Sequence, residues 1–187
     1  SGLTYLIDNQ YGSVDFYDAD VTLLNLPFVS PLNPIAPNIY RFYIQDTVAI
    51  NGDSCIHLYF APRQKTDRAF IGHLWIAHDS TYALRKIEAG IPKEINVNWV
   101  NEMQISQEFG WVGTSATERG LMLTKDEVFM DFGITQGDST KSILGNKTTT
   151  YQNYRINQPL PDSLFSTTLA TIQTADALGR DTAFWEK

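Results

Sequence analysis

The sequence predicts a mainly β chain: a strongly curved antiparallel sheet, an open half-barrel, with a few short helices. Three observations lead there. Between Tyr40 and Phe132, in runs separated by turns, aromatic and apolar residues recur at every second position. That is the period of a strand with one dry face and one wet face. Asn51-Gly52 separates two such runs and supplies positive φ at little cost, which marks a tight hairpin. Strand signals return at a spacing of about eight to twelve residues with turns between, the pattern of antiparallel sheets and open barrels rather than βαβ units.

Leu3–Asp8 is a short strand candidate, and Tyr11–Asn25 carries Asp15, Asp18 and Asp20 among aromatics. Leu26–Asn38 holds four prolines. Proline lacks an N–H and restricts the residue before it, so this stretch reads as an ordered crossing loop. Residues 1–38 are therefore expected to form an N-terminal extension packed on the sheet, and 39–187 the half-barrel with a helical tail.

Within the sheet, Tyr40, Phe42 and Ile44 alternate with Arg41, Tyr43 and Gln45, and Ile56, Leu58 and Phe60 alternate with Cys55, His57 and Tyr59. Residues 62–68 read as a polar loop. The next strand spans Phe70–Asp79, with Gly72, Leu74 and Ile76 on one face and His73, Trp75 and Ala77 on the other. Residues 78–81 form a turn, and Tyr82–Glu88 returns. Ile95, Val97, Trp99, Met103 and Ile105 share one parity and predict a single long strand, with a bulge or a barrel edge at Asn101, where the run breaks. Residues 113–120 read as a loop. Leu121–Thr124 and Glu127–Phe132 read as two strands, and Lys147–Asn157 as the last. Asp162 is placed to cap a short helix at 163–165. Thr174 or Asp176 is placed to open another that ends at Phe184-Trp185.

With 187 residues, 43% of them hydrophobic and 12% aromatic, the chain can bury a sizeable core. The net charge of −7 argues against nucleic acid and anionic headgroups as partners, because both are recognised by clustered Lys and Arg. Cys55 is the only cysteine, which excludes an intrachain disulfide and reads as a small buried hydrophobe. No stretch approaches the roughly 20 apolar residues of a membrane helix. Starting at Ser1 and stopping beside Trp185, the chain reads as an excised segment of something longer.

No catalytic constellation stands out. GxSxG, the phosphate-binding loop GxxxxGK[ST] and GxGxxG are absent. His57 and His73 become neighbours if strands 55–60 and 70–79 pair, but with His78 they make no fixed-spacing zinc motif, so they read as sheet-surface histidines. Asp15, Asp18 and Asp20 lack the glycine and glutamate of a calcium loop. The expectation is therefore no enzyme, no catalytic residue, no metal and no cofactor. The aromatics support two readings: plain core packing, or an apolar groove on the concave side of the sheet, since few helices are available to cover it. The groove's candidate ligand-binding residues are Phe42, Leu58, Leu74 and Trp99, which share the apolar parity of adjacent strands.

Phe28-Val29-Ser30-Pro31-Leu32, Tyr40-Arg41-Phe42-Tyr43, Pro62, Phe70-Ile71-Gly72-His73-Leu74-Trp75-Ile76, Ile95-Asn96, Gln107-Glu108-Phe109 and the C-terminal Arg180–Trp185 together resemble a family of Bacteroidetes envelope proteins. These carry a domain of unknown function beside a carboxypeptidase-regulatory-like β-sandwich. The resemblance implies a periplasmic segment, attached to the outer membrane through a membrane β-barrel later in the chain. The hairpin order is also similar to the lipoprotein-carrier half-barrel, which binds acyl chains under helical lids; the carriers' ligand-release arginine has no match here. The expected function is a non-enzymatic periplasmic module that binds a lipid or other apolar ligand in its concavity. The alternative is a tethering domain with a filled core. The expected partners are that ligand and the flanking domains of the same longer chain.

Overall fold

The computed structural model describes residues 14–23, 26–97, 100–113, 119–136 and 139–157. A small sheet pairs β1 (Asp20–Leu23) with β2 (Leu26–Val29). A four-residue helix α1 (Ala36–Ile39) follows. Then come β3 (Tyr40–Ile50), β4 (Asp53–Pro62), β5 (Ile71–Ala77), β6 (Leu84–Gly90), β7 (Val100–Val112), β8 (Gly120–Gln136) and β9 (Ser139–Thr150). These seven pair antiparallel in chain order into an open sheet with β3 and β9 at its edges. The mainly β, antiparallel class read from the sequence is what the structure shows. By contacts the chain divides into Ser1–Ile156 and Asn157–Lys187, and all but Asn157 of the second unit lies outside the described residues.

Several element boundaries differ from the sequence reading. The proline-rich segment is not a plain loop: Pro27 sits in the two-stranded β1–β2 sheet, and Pro37 stands in the first turn of α1, where a missing N–H costs nothing. Residues 95–105 are not one strand. Ile95 N–H bonds the Pro92 carbonyl and Val100 N–H bonds the Val97 carbonyl, so a turn precedes β7. The expected break does occur: the β7–β8 register shifts between Val100 and Glu102, around Asn101. The stretches 121–124 and 127–132 belong to one strand, β8, with a second register shift against Glu108/Phe109. The last strand starts and ends earlier than expected, and residues 151–157 are not strand. The Leu3–Asp8 strand and both C-terminal helices lie outside the described residues.

Asn51 and Gly52 both have positive φ, at 49° and 89°, as a primed hairpin turn requires. Directly paired residues of an antiparallel sheet share a face, so the register sorts side chains into rows. One row runs Ile44, Leu58, Leu74, Ile87, Gln107, Asp126, Thr149; the next runs Phe42, Phe60, Gly72, Ala89, Ile105, Val128, Lys147. This is the dry face, with Phe60, Leu74, Ile87, Ile105 and Val128 all buried.

The cover on that face is the chain's own residues 14–40. Val14, Phe16, Val21, Leu23, Phe28, Ala36 and Tyr40 join the sheet residues in one hydrophobic cluster. Phe16 and Phe28 each pack on Phe70, ring centroids 5.3 Å apart in both cases. Polar pins hold the segment down. Ser30 Oγ donates to the Phe16 carbonyl. The Tyr40 hydroxyl donates to the Val29 carbonyl and accepts from Phe70 N–H. Burial raises the Tyr40 pKa well above the ordinary phenol value, outweighing the Phe70 N–H that stabilises the phenolate.

Candidate functional site

The structure brings Phe42, Leu58 and Leu74 to one face, as their parity predicts. Leu58 and Leu74 are direct cross-strand partners, and Phe42 lies in the neighbouring row opposite Phe60. Their surroundings differ. Leu74 is 2% exposed and part of the filled core. Leu58 is half-buried and packs against the same core. Phe42, on the edge strand, is 36% exposed and touches the rings of Tyr40 and Phe60. Trp99 lies outside the described residues.

The opposite face carries the polar chemistry. One of its rows reads Tyr43, Tyr59, His73, Glu88, Ser106, Glu127, Thr148 across all seven strands; the other reads Asp46, His57, Trp75, Lys86, Glu108, Lys125, Thr150. Charges along these rows meet opposite charges. Lys86 Nζ is 2.7 Å from Glu88 and Lys125 Nζ 2.9 Å from Glu127, while His57 Nδ1 is hydrogen-bonded to Asp46 Oδ1 at 2.8 Å. Lys125 holds the Glu127 carboxyl below the ordinary carboxylate range.

This polar face is hollow. A cavity of about 830 Å³ is lined by residues from β4 to β9, among them Tyr59, His73, Glu88, Gln104, Phe129 and Asn146. Strands that far apart can line one cavity only if the sheet curls around it. None of Phe42, Leu58 and Leu74 lines it. The alternation that assigned the dry face could have assigned this one too, since Tyr59, His73 and Trp75 share the opposite parity. What alternation cannot give is the direction of curl.

At the β4–β5 end of the polar face an aromatic stack forms. His57 lies flat on Trp75, centroids 4.6 Å apart and planes 3° from parallel. Lys86 Nζ sits 5.1 Å from the centre of the Trp75 ring, a cation–π arrangement. His57 Nε2 is 2.8 Å from His73 Nδ1. Burial, then the neighbouring His57, lowers the His73 pKa below its ordinary value. Cys55 is fully buried, and burial pushes its thiol pKa up, which nearby Arg85 only partly offsets. Among the described residues no group of three or more His, Cys, Asp and Glu side chains converges to hold a metal ion. No helix among them is long and apolar enough to cross a membrane.

No curated protein and no solved structure matches the chain. A family model does match, over residues 5–154, and its description is a family of unknown function, DUF5686. That span takes in the covering segment together with the whole seven-stranded sheet. The chain therefore belongs to the DUF5686 family.

Proposed function

We propose that this chain is a non-enzymatic structural and interaction domain with a self-filled core, tethering neighbouring parts of a longer, outer-membrane-associated protein in the periplasm. The observation that carries the reading is the occupancy of the dry face. Phe16, Phe28 and Tyr40 lie where an acyl chain would have to lie, and Leu74 beneath them is buried. Displacing such rings forfeits roughly 1.5–3 kcal/mol of burial for each, which a ligand would have to recover before showing net affinity. The polar face supports the same reading: its charged side chains largely neutralise one another. The periplasmic, membrane-attached setting comes from the resemblance of the quoted motifs to envelope proteins.

Lipid binding is the reading this one replaces, and the two part on a direct measurement. Purified protein is extracted and the extract analysed by mass spectrometry, then titrated with a fluorescent fatty-acid analogue. We expect no stoichiometric lipid and no saturable binding. A co-purifying lipid, or saturable binding, overturns the filled-core domain in favour of an apolar carrier.

A further inference from the structure

The pair His57–His73 does something that ordinary sheet-surface histidines do not: two ring nitrogens from adjacent strands point at each other across 2.8 Å. His57 stands opposite Trp75 and His73 opposite Tyr59, so the two imidazoles meet on the diagonal. The other nitrogen of His57 is committed, with Nδ1 2.8 Å from Asp46 Oδ1. A carboxylate can only accept, so His57 Nδ1 carries its proton there. In the neutral ring this leaves Nε2 as a bare lone pair aimed at His73. A metal-binding histidine is oriented the same way, one nitrogen donating to a carboxylate and the other presented to the ion.

From this geometry we propose that His57 Nε2 and His73 Nδ1 form a two-imidazole site for a divalent transition metal ion, with Cu²⁺ the strongest occupant and Asp46 as the orienting residue. Two nitrogens each about 2.0–2.1 Å from one ion stand about 3 Å apart when they subtend a right angle. The observed separation already suits that bite; what must change is direction, because each ring has to turn its donor nitrogen away from the other ring and toward the ion. Solvent completes the coordination. Starting from two neutral rings, His73 moves its proton from Nδ1 to Nε2 and no net proton is released. Imidazole nitrogen suits copper, nickel and zinc, and affinity for such donors peaks at Cu²⁺. Hard cations such as Mg²⁺ and Ca²⁺ prefer oxygen. Neighbouring rings keep the pair close: Trp75 stacks on His57, and the Tyr59 ring lies 5.3 Å from His73. The site stands apart from the dry face, so it does not depend on whether that face is filled.

The test is a titration of the whole chain with CuCl₂ at pH 7.5, read by Trp fluorescence and by electron paramagnetic resonance. Bound Cu²⁺ beside the stacked Trp75 ring should quench its emission, saturating at one equivalent, with hyperfine structure from two nitrogens. His57→Gln and His73→Gln should each abolish saturable binding. Asp46→Asn should weaken it by about tenfold or more. His78→Gln, at an exposed turn, is the control and should bind as the parent does. Circular dichroism confirms that each variant is folded. Binding that survives His73→Gln, a one-nitrogen signal, or no saturation in the parent overturns the site, and the pair then only shares a proton.

Discussion

Gln107 and Val14 lie 93 residues apart in the chain, yet the Gln107 side-chain amide donates a 2.7 Å hydrogen bond to the Val14 carbonyl. The same nitrogen donates to Asp126 Oδ1 at 2.9 Å. Both of its protons are used, at a site where Gln107 and Asp126 are 1% and 2% exposed. One amide thus ties the covering segment to β7 and holds a buried carboxylate on β8.

Gln107→Leu should therefore destabilise more than its lost packing explains. It strands a buried acceptor on Asp126, a cost of about 1–3 kcal/mol and more for a charged group. Urea denaturation measures it. Adding Asp126→Asn should recover part of the loss, because a neutral side chain is cheaper to leave unpaired. Equal stability of parent and Gln107→Leu would show that the pin contributes nothing.

Phe16→Ala should cost about 3–5 kcal/mol, since the ring is fully buried against Phe70. The loss should appear in the unfolding of the seven-stranded sheet itself, monitored by far-ultraviolet circular dichroism, because cover and sheet share one core. A sheet transition unmoved by the substitution would make the segment a dispensable attachment.

Two glycines should respond differently to alanine. A Cβ on Gly72 would stand 1.9 Å from the Glu88 carbonyl oxygen, a backbone atom that cannot step aside without parting β5 from β6. Gly52 has φ 89° but nothing within 4 Å of such a Cβ. Gly52→Ala should cost about 1–2 kcal/mol of backbone strain. Gly72→Ala should exceed that and lower soluble yield. Thermal melts of the two variants give the ranking, and the reverse order would place the close approach elsewhere.

The Cys55 thiol should be inert in the folded protein. Burial raises its pKa, so little thiolate forms at pH 8, and access is blocked as well. Reaction with a chromogenic disulfide should be slow under native conditions and complete at one equivalent in denaturant. Rapid native modification would place the residue at the surface.

Glu127 supplies a pH test. Its pKa is lowered from 4.5, chiefly by the hydrogen bond from Lys125. A carboxyl with a depressed folded pKa stabilises fully above its unfolded value, and the contribution is lost as pH falls through the folded one. The stability difference between parent and Glu127→Gln should therefore be present at pH 7 and shrink as pH falls below the ordinary glutamate value of about 4.5. It should be small, because the pair is partly exposed and screened. A difference that grows on acidification would reverse the assignment.

Much of the sheet was legible because strand parity is local. The β3–β4 hairpin follows from Asn51-Gly52. The shared face of Phe42, Leu58 and Leu74 follows from counting by twos, and the register shift at Asn101 from the one break in an alternating run. Boundaries failed where tertiary contacts overrode local signals. Pro27 was accepted in a strand because its partner sheet has only two strands, and residues 121–136 stayed one strand because β7 and β9 pair along most of their length.

By itself, then, the sequence determined which side chains share a face and which turns connect them, since both depend on neighbours a few residues away. Only the tertiary structure decided what lies on each face. That the dry side is covered by Phe16, Phe28 and Tyr40, and that the hollow side carries Tyr59, His73 and Glu88, depends on contacts spanning tens of residues and on the direction in which seven strands curl. Alternation is blind to both. It gives the parity of Leu74, and the packing of a distant segment makes that residue core rather than the wall of a groove.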